Sequence, residues 1–168
     1  MSKNAHVPAA TGCQRDADGR LIGLIFDSDP PMPEPEGNPW LVAVDGSDNA
    51  LRAVAYAVRQ ANEMHACALH LVHVQSWLSK EAAEMELAQR AWSATSAARN
   101  LLAGERLPWR MHVVMGDAAE RIMELATGIQ CKGVIIGSRG FGVTESVLFG
   151  SVATTLMRMS GPPVAVIP

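Results

Sequence analysis

The segment GSRGFGVTESVLFGS, residues 137 to 151, holds four of the chain's 14 glycines, Gly137, Gly140, Gly142 and Gly150, and a single cation, Arg139. It follows a short apolar run, Gly133 to Ile136, and precedes a stretch with helical spacing, which places it where a strand hands over to a helix. The first amides of a helix have no intrahelical acceptor, and glycine puts no Cβ between the backbone and a ligand oxygen. The chemistry on offer is the binding of a phosphate.

Other chemistries fail on spacing. Read from Gly140, GFGVTE lacks the third glycine of a dinucleotide fingerprint, and no acidic residue follows about 20 positions on. None of these glycines is followed by the lysine of a phosphate loop. A nucleophile elbow at Ser138 requires glycine two positions earlier, where Ile136 stands. His70 and His73 lie three apart on a strand-like run and so point to opposite faces, which disfavours chelation; His73 reads as a hydrogen-bonded core residue. Cys13, Cys67 and Cys131 are odd in number and lack CxxC spacing, the pattern of buried thiols and not of a disulfide framework or zinc cage.

The elements that must carry the segment alternate. Apolar runs of strand length stand at Trp40–Val44, Ala68–Val74, Arg110–Met115, Gly133–Ile136 and Val164–Ile167. Between them Ser47 can cap a helix with Leu51, Val54, Ala55 and Val58 on one side, and Lys80–Ala103 reads as one long amphipathic helix. Asp117 can cap a third helix, with Glu120 returning a capping-box bond, and a fourth runs from about Thr144 to Met159. Five strands and four helices in this order predict an α/β fold: a single doubly wound domain with a five-stranded parallel sheet. Ligands of such sheets collect beyond the carboxyl ends of the strands, where the glycine segment falls.

Gly137, two residues, Gly140, nine residues, then Gly150 and Ser151 spell G-x2-G-x9-G-[ST]. On this motif, and on VAVDGS, LHLVHV, GDAAERI, VIIGSRG, FGSVATTLM and PPVAVIP in that order, the chain from about Trp40 to Pro168 resembles the universal stress protein family in its ATP-binding branch. The resemblance implies ATP as ligand, with adenine near Val44 and Val74 and Asp45 reaching the adenosine. It implies phosphates against Gly137, Arg139, Gly140, Gly150, Ser151 and Val152, with Ile136 in the same site. Asp45 is also the candidate contact for a magnesium ion. The resemblance further implies a homodimer that pairs through the last strand, VAVI. A nucleotide-occupancy regulator with an unknown protein partner is the leading reading. A slow ATPase or phosphotransferase, with Ser138, Thr144 or Ser151 accepting phosphate, and a nucleotide-free interaction module are its rivals.

Composition limits the rest. A chain of 168 residues with 48% apolar content suits one globular domain. A net charge of −3 without a lysine or arginine block disfavours nucleic acid. No apolar run approaches the ~20 residues of a membrane span, and no secretory signal follows Lys3, so a cytoplasmic protein is expected. Residues 1–38 read as an N-terminal extension before a nucleotide-binding domain at 39–168. Within the extension RDADGRLIGLIFD offers a turn and an edge strand that docks on the domain, binds a partner or stays unstructured. DSDPPMPEPEGNP, with five prolines and four acidic residues, reads as a linker that a protease cuts first.

Overall fold

The computed structural model describes residues 6–34, 36–64, 66–142, 144, 146 and 148–168. Strands β1 (Gly12–Arg15), β2 (Leu21–Asp27), β3 (Pro39–Ala43), β4 (Ala68–Gln75), β5 (Trp109–Met115), β6 (Gly133–Gly137) and β7 (Val164–Ile167) form one sheet in the order β1-β2-β5-β4-β3-β6-β7. The strands from β3 to β7 are parallel, as alternation with helices requires, whereas β1 and β2 are antiparallel to their neighbours. Among the described residues the sheet therefore has seven strands and not the expected five. The difference lies in the first 38 residues, where a hairpin closes the β5 edge.

That hairpin belongs to the core. Leu21, Leu24 and Phe26 are buried with the helices of one sheet face, and the Phe26 ring stands 5.4 Å from the Trp92 ring. Leu24 and Phe26, two residues apart, share the inward face by alternation, and Leu21 is buried with them beyond the irregularity in the β1–β2 register, where Gln14 pairs with Gly23 but Arg15 with Leu21. The proline-rich connection to β3 also packs: Met32 is buried, and Ser28 Oγ accepts from the Trp109 amide at 2.9 Å.

Among the described residues five helices cover the sheet: α1 (Asp48–Glu63), α2 (Lys80–Ala94), α3 (Ser96–Gly104), α4 (Ala118–Gly128) and α5 (Ser151–Arg158). Helices α1 to α3 bury one face, including Leu71, Met111 and Ile135, while α4 and α5 bury the other against Leu41, Val72 and Val134. Ser47 and Asp117 cap as expected, accepting from the amides of Ala50 and Glu120. The return bond expected from Glu120 is not formed among the described residues, and its side chain is exposed.

Two expectations for helices are corrected. The long helix expected over Lys80–Ala103 breaks at Thr95, making five helices and not four. The buried Thr95 hydroxyl donates back to the Ala91 carbonyl at 2.8 Å beside the Thr95 amide at 3.1 Å, and Arg99 donates to the Trp92 carbonyl at 2.6 Å, so side-chain donors compete for the carbonyls where the helix breaks. The last helix starts at Ser151 and not near Thr144: of the residues between them, Thr144, Ser146, Leu148, Phe149 and Gly150 are described, and none is helical. Val143, Glu145 and Val147 lie outside the described residues.

Replacing Phe26 by Ala should lower unfolding free energy by about 3–5 kcal/mol, the usual cost of deleting a buried aromatic ring. Urea denaturation monitored by tryptophan fluorescence checks this, and a loss below about 1 kcal/mol would show that the hairpin is peripheral.

Candidate functional site

The winding of the chain reverses at β3. From it the chain proceeds outward through β4 and β5 on one side and β6 and β7 on the other. Beyond the strand ends at this divergence lies a cavity of about 390 Å³, within the range of small-molecule sites. The sequence-predicted site residues all line it: Val44 and Asp45 after β3, Val74 on β4, Ile136 and Gly137 on β6, Arg139 and Gly140 in the glycine loop, and Gly150, Ser151 and Val152 at the start of α5.

Local bonds fix this arrangement. The Gly150 amide donates to the Ser138 carbonyl at 2.6 Å, tying the two ends of the glycine loop together. The Ser138 amide donates to the Ile167 carbonyl at 2.7 Å, and its hydroxyl accepts from Asn49 Nδ2 at 3.3 Å, so α1, β6 and β7 meet at one buried serine. The first intrahelical bond of α5 runs from Thr154 to Gly150, which leaves the Ser151, Val152 and Ala153 amides without helical acceptors at the cavity wall. The amide of Gly150 is already engaged.

The motif glycines do not share one physical reason. A Cβ on Gly137 would stand 2.6 Å from the Asn49 carbonyl carbon and 2.7 Å from its oxygen, so this glycine lets the first turn of α1 lie against β6. A Cβ on Gly140 would meet Asp45 Oδ2 at 2.6 Å, so the second glycine admits the carboxylate. At Gly150 a Cβ finds ordinary contacts of 3.4 Å or more and the cap has φ −71°, so neither packing nor backbone geometry requires glycine there.

Among the described residues the wall has one cation, Arg139, and one carboxylate, Asp45. Asp45 Oδ1 accepts from the Ser47 amide at 2.9 Å, which orients the carboxylate and leaves Oδ2 toward Gly140. That single free oxygen suits a magnesium ion held largely by ligand phosphates and water, and no group of three or more His, Cys, Asp or Glu among the described residues could hold a metal alone. His73 donates from Nδ1 to the Val44 carbonyl at 2.9 Å, and burial keeps its pKa below the ordinary value, so the ring is neutral with Nε2 as an acceptor.

Sequence reasoning missed several wall residues. Gln75 and Ser76 follow the β4 apolar run, a position that could have marked them as strand-end residues; Ser138 was weighed only as a nucleophile or phosphate acceptor. Ala118 and Ile122 reach the cavity from α4, and Phe141 lies in the glycine loop; no local pattern signals their approach.

Fold and site together define a doubly wound α/β protein with a ligand-sized hollow at its switch point and a glycine loop on its rim. The model of the universal stress protein family matches residues 39–168, and the chain belongs to that family. It is 30% identical to a universal stress protein of Mycobacterium tuberculosis, across 99% of this chain and 62% of the relative, so it spans under two thirds of that relative's length. A Thermus aquaticus universal stress protein is 30% identical over 76% of this chain and 96% of its own. Among solved structures, UspA from Lactobacillus plantarum matches with a TM-score of 0.67 at 21% identity, covering 78% of this chain and 97% of its own. An Archaeoglobus fulgidus universal stress protein in complex with dAMP matches at 0.63 and 23%, covering 79% and 99%. A universal stress protein in complex with cAMP matches at 0.61 and 20%, covering 78% and 97%. No helix among the described residues is long and apolar enough to cross a membrane.

Gly137→Ala should destabilise the fold by about 1–3 kcal/mol, because the new methyl meets backbone and not a movable side chain. Gly150→Ala should cost under about 0.5 kcal/mol. Thermal unfolding of the pair distinguishes the packing glycine from the loop-closing one, and equal stabilities would refute the distinction.

Proposed function

We propose that this protein binds an adenine nucleotide, ATP with magnesium, in the cavity at the switch point, and acts through its occupancy as a cytoplasmic stress-response regulator. One observation carries the reading: every residue singled out from the sequence motif lines a single open cavity. Family membership and the solved relatives in complex with dAMP and cAMP support it.

The adenosine lies against Val44, Val74 and Asp45, where β3 and β4 end. The phosphates lie at the start of α5, within reach of the three amides without helical acceptors. Oriented amides and the helix dipole contribute about 0.3–2 kcal/mol toward an anion, and Arg139 adds charge-assisted bonds. Magnesium, held by the phosphates and Asp45 Oδ2, neutralises phosphate charge. Among the described residues Asp45 is the wall's one carboxylate, and its Oδ1 is committed to the Ser47 amide, which favours holding a nucleotide over rapid turnover. A slow ATPase remains the second reading, and steady phosphate release above about 1 per second would select it. A nucleotide-free module is the third, and native mass spectrometry without a shift on adding MgATP would select that.

The outer side of β7 carries no strand among the described residues, and its side chains are half-buried. An unpaired edge of this kind suits pairing with a second copy. We infer a homodimer through β7, and a monomer in sedimentation equilibrium at micromolar concentration would count against it.

Titration calorimetry with MgATP tests the site. Arg139→Ala should weaken binding about 10- to 100-fold, the ~1.5–3 kcal/mol of a charge-assisted bond. Gly140→Val and Gly150→Val should abolish binding while unfolding stays cooperative. Unchanged affinity in all three variants would defeat the assignment.

A further inference from the structure

A polar cluster lies away from the nucleotide cavity, under the β2–β3 connection. Alternation along β4 and β5 turns His70, Arg110 and His112 to the face opposite α1–α3. There His70 Nδ1 lies 2.9 Å from His112 Nε2, and His70 Nε2 lies 2.7 Å from Glu36 Oε2 on the connection. Arg110 donates to Asp27 at 2.7 Å and to Glu36 at 3.2 Å, with Glu34 at 3.9 Å. Both imidazoles are buried, with exposures of 2% for His70 and 9% for His112. Two histidines placed ring to ring beneath a proline-rich strap have no part in nucleotide binding.

We propose that Glu36, His70 and His112 form a proton-operated latch: closed at neutral pH it holds the β2–β3 connection on the sheet, and uptake of two protons by the histidines opens it. Donor and acceptor chemistry sets the closed state. An ionised Glu36 can only accept, so His70 Nε2 donates to it; His70 Nδ1 must then accept, so His112 Nε2 donates. One added proton fits, since His112 can take it at Nδ1 while keeping its bond to His70. A second proton places N–H groups on both facing nitrogens at 2.9 Å, between rings whose centroids are 5.2 Å apart and beside the fixed charge of Arg110. The doubly protonated pair cannot keep this contact.

The direction of the pH effect follows. Burial, opposed in part by Glu36, holds His70 below its ordinary pKa; burial and then His70 and Arg110 push His112 down to about 4. With the strap lifted, both rings regain solvent and titrate near 6.5. The open state therefore binds more protons throughout the interval between, and opening grows more favourable as pH falls below about 6.5. Two extra protons give at most about a hundredfold change per pH unit. Burial raises Asp27, but its bonds from Arg110 and Thr11 win and hold it below the usual carboxylate range, so it stays ionised through this window. On α4, which also packs on β4, Arg121 and Glu124 pair with each other at 2.7 Å and not with the cluster.

Hydrogen exchange on the full chain at pH 7.5 and 5.5, corrected for intrinsic rates, tests the latch without reference to any nucleotide. In the wild type, protection of the Ser28 amide, bonded to the Trp109 carbonyl, and of the Ala68 amide, bonded to the Gly37 and Asn38 carbonyls, should fall at least tenfold at pH 5.5 while α1 keeps its protection. His112→Gln keeps a donor near the Nε2 position but takes up no proton, and its strap should change less than threefold. Glu36→Ala should open the strap at both pH values. Equal wild-type protection at the two pH values, an undiminished response in His112→Gln, or loss of α1 protection in step with the strap would overturn the proposal. Should His112→Gln not fold, a strap that stays closed at pH 7.5 in Glu36→Ala would overturn it.

Discussion

The cavity exists because α1 and β6 touch backbone to backbone. At Gly137 the Asn49 carbonyl occupies the space of a Cβ, which draws the first turn of α1 onto the end of β6. From that contact Asn49 reaches the Ser138 hydroxyl, and Ser138 in turn holds β7 through its amide and the glycine loop through its carbonyl. A wider approach would part Asp45 from Gly140 and open the hollow to solvent. Close packing makes such a contact sensitive, because a protein interior has no slack to absorb even one methyl group.

A shared motif does not imply a shared physical cause. Gly137 answers to packing and Gly140 to a carboxylate, whereas at Gly150 no contact or backbone angle demands glycine, and its amide closes the loop as another residue's would. Only the surroundings of Gly150 leave room that a ligand could use as well as a side chain. The anion-binding potential comes as much from the unpaired amides of α5 as from missing side chains.

The N-terminal residues complete the sheet at its other end. Without β2, the β5 edge would present unpaired amides and carbonyls, a template for unwanted pairing. Hairpin contacts reinforce this: Arg15 pairs with Glu84, Lys80 Nζ donates to the Asp18 carbonyl at 2.9 Å, and the Arg20 guanidinium lies 5.9 Å from the Trp77 ring. Exposed contacts of this kind are individually weak, so Leu21, Leu24 and Phe26 do most of the anchoring. The buried histidine pair is the exception on this side, a polar group whose stability depends on its proton count.

The sequence by itself determined the periodicities. Apolar runs marked the five parallel strands, Ser47 and Asp117 marked helix starts, and the spacing of Gly137, Gly140 and Gly150 marked residues that line the cavity, because each is a local pattern in which chain chemistry dictates backbone shape. Opposite directions for His70 and His73 were likewise readable from a two-residue period, and the bonds of His73 to Val44 and of His70 to Glu36 agree. Tertiary structure alone decided the break at Thr95, the late start of α5, the packing of the proline-rich strap and the approach of Ile122 and Phe141 to the cavity. Each depends on groups far apart in sequence competing for one hydrogen bond or one volume, and no local pattern encodes that competition.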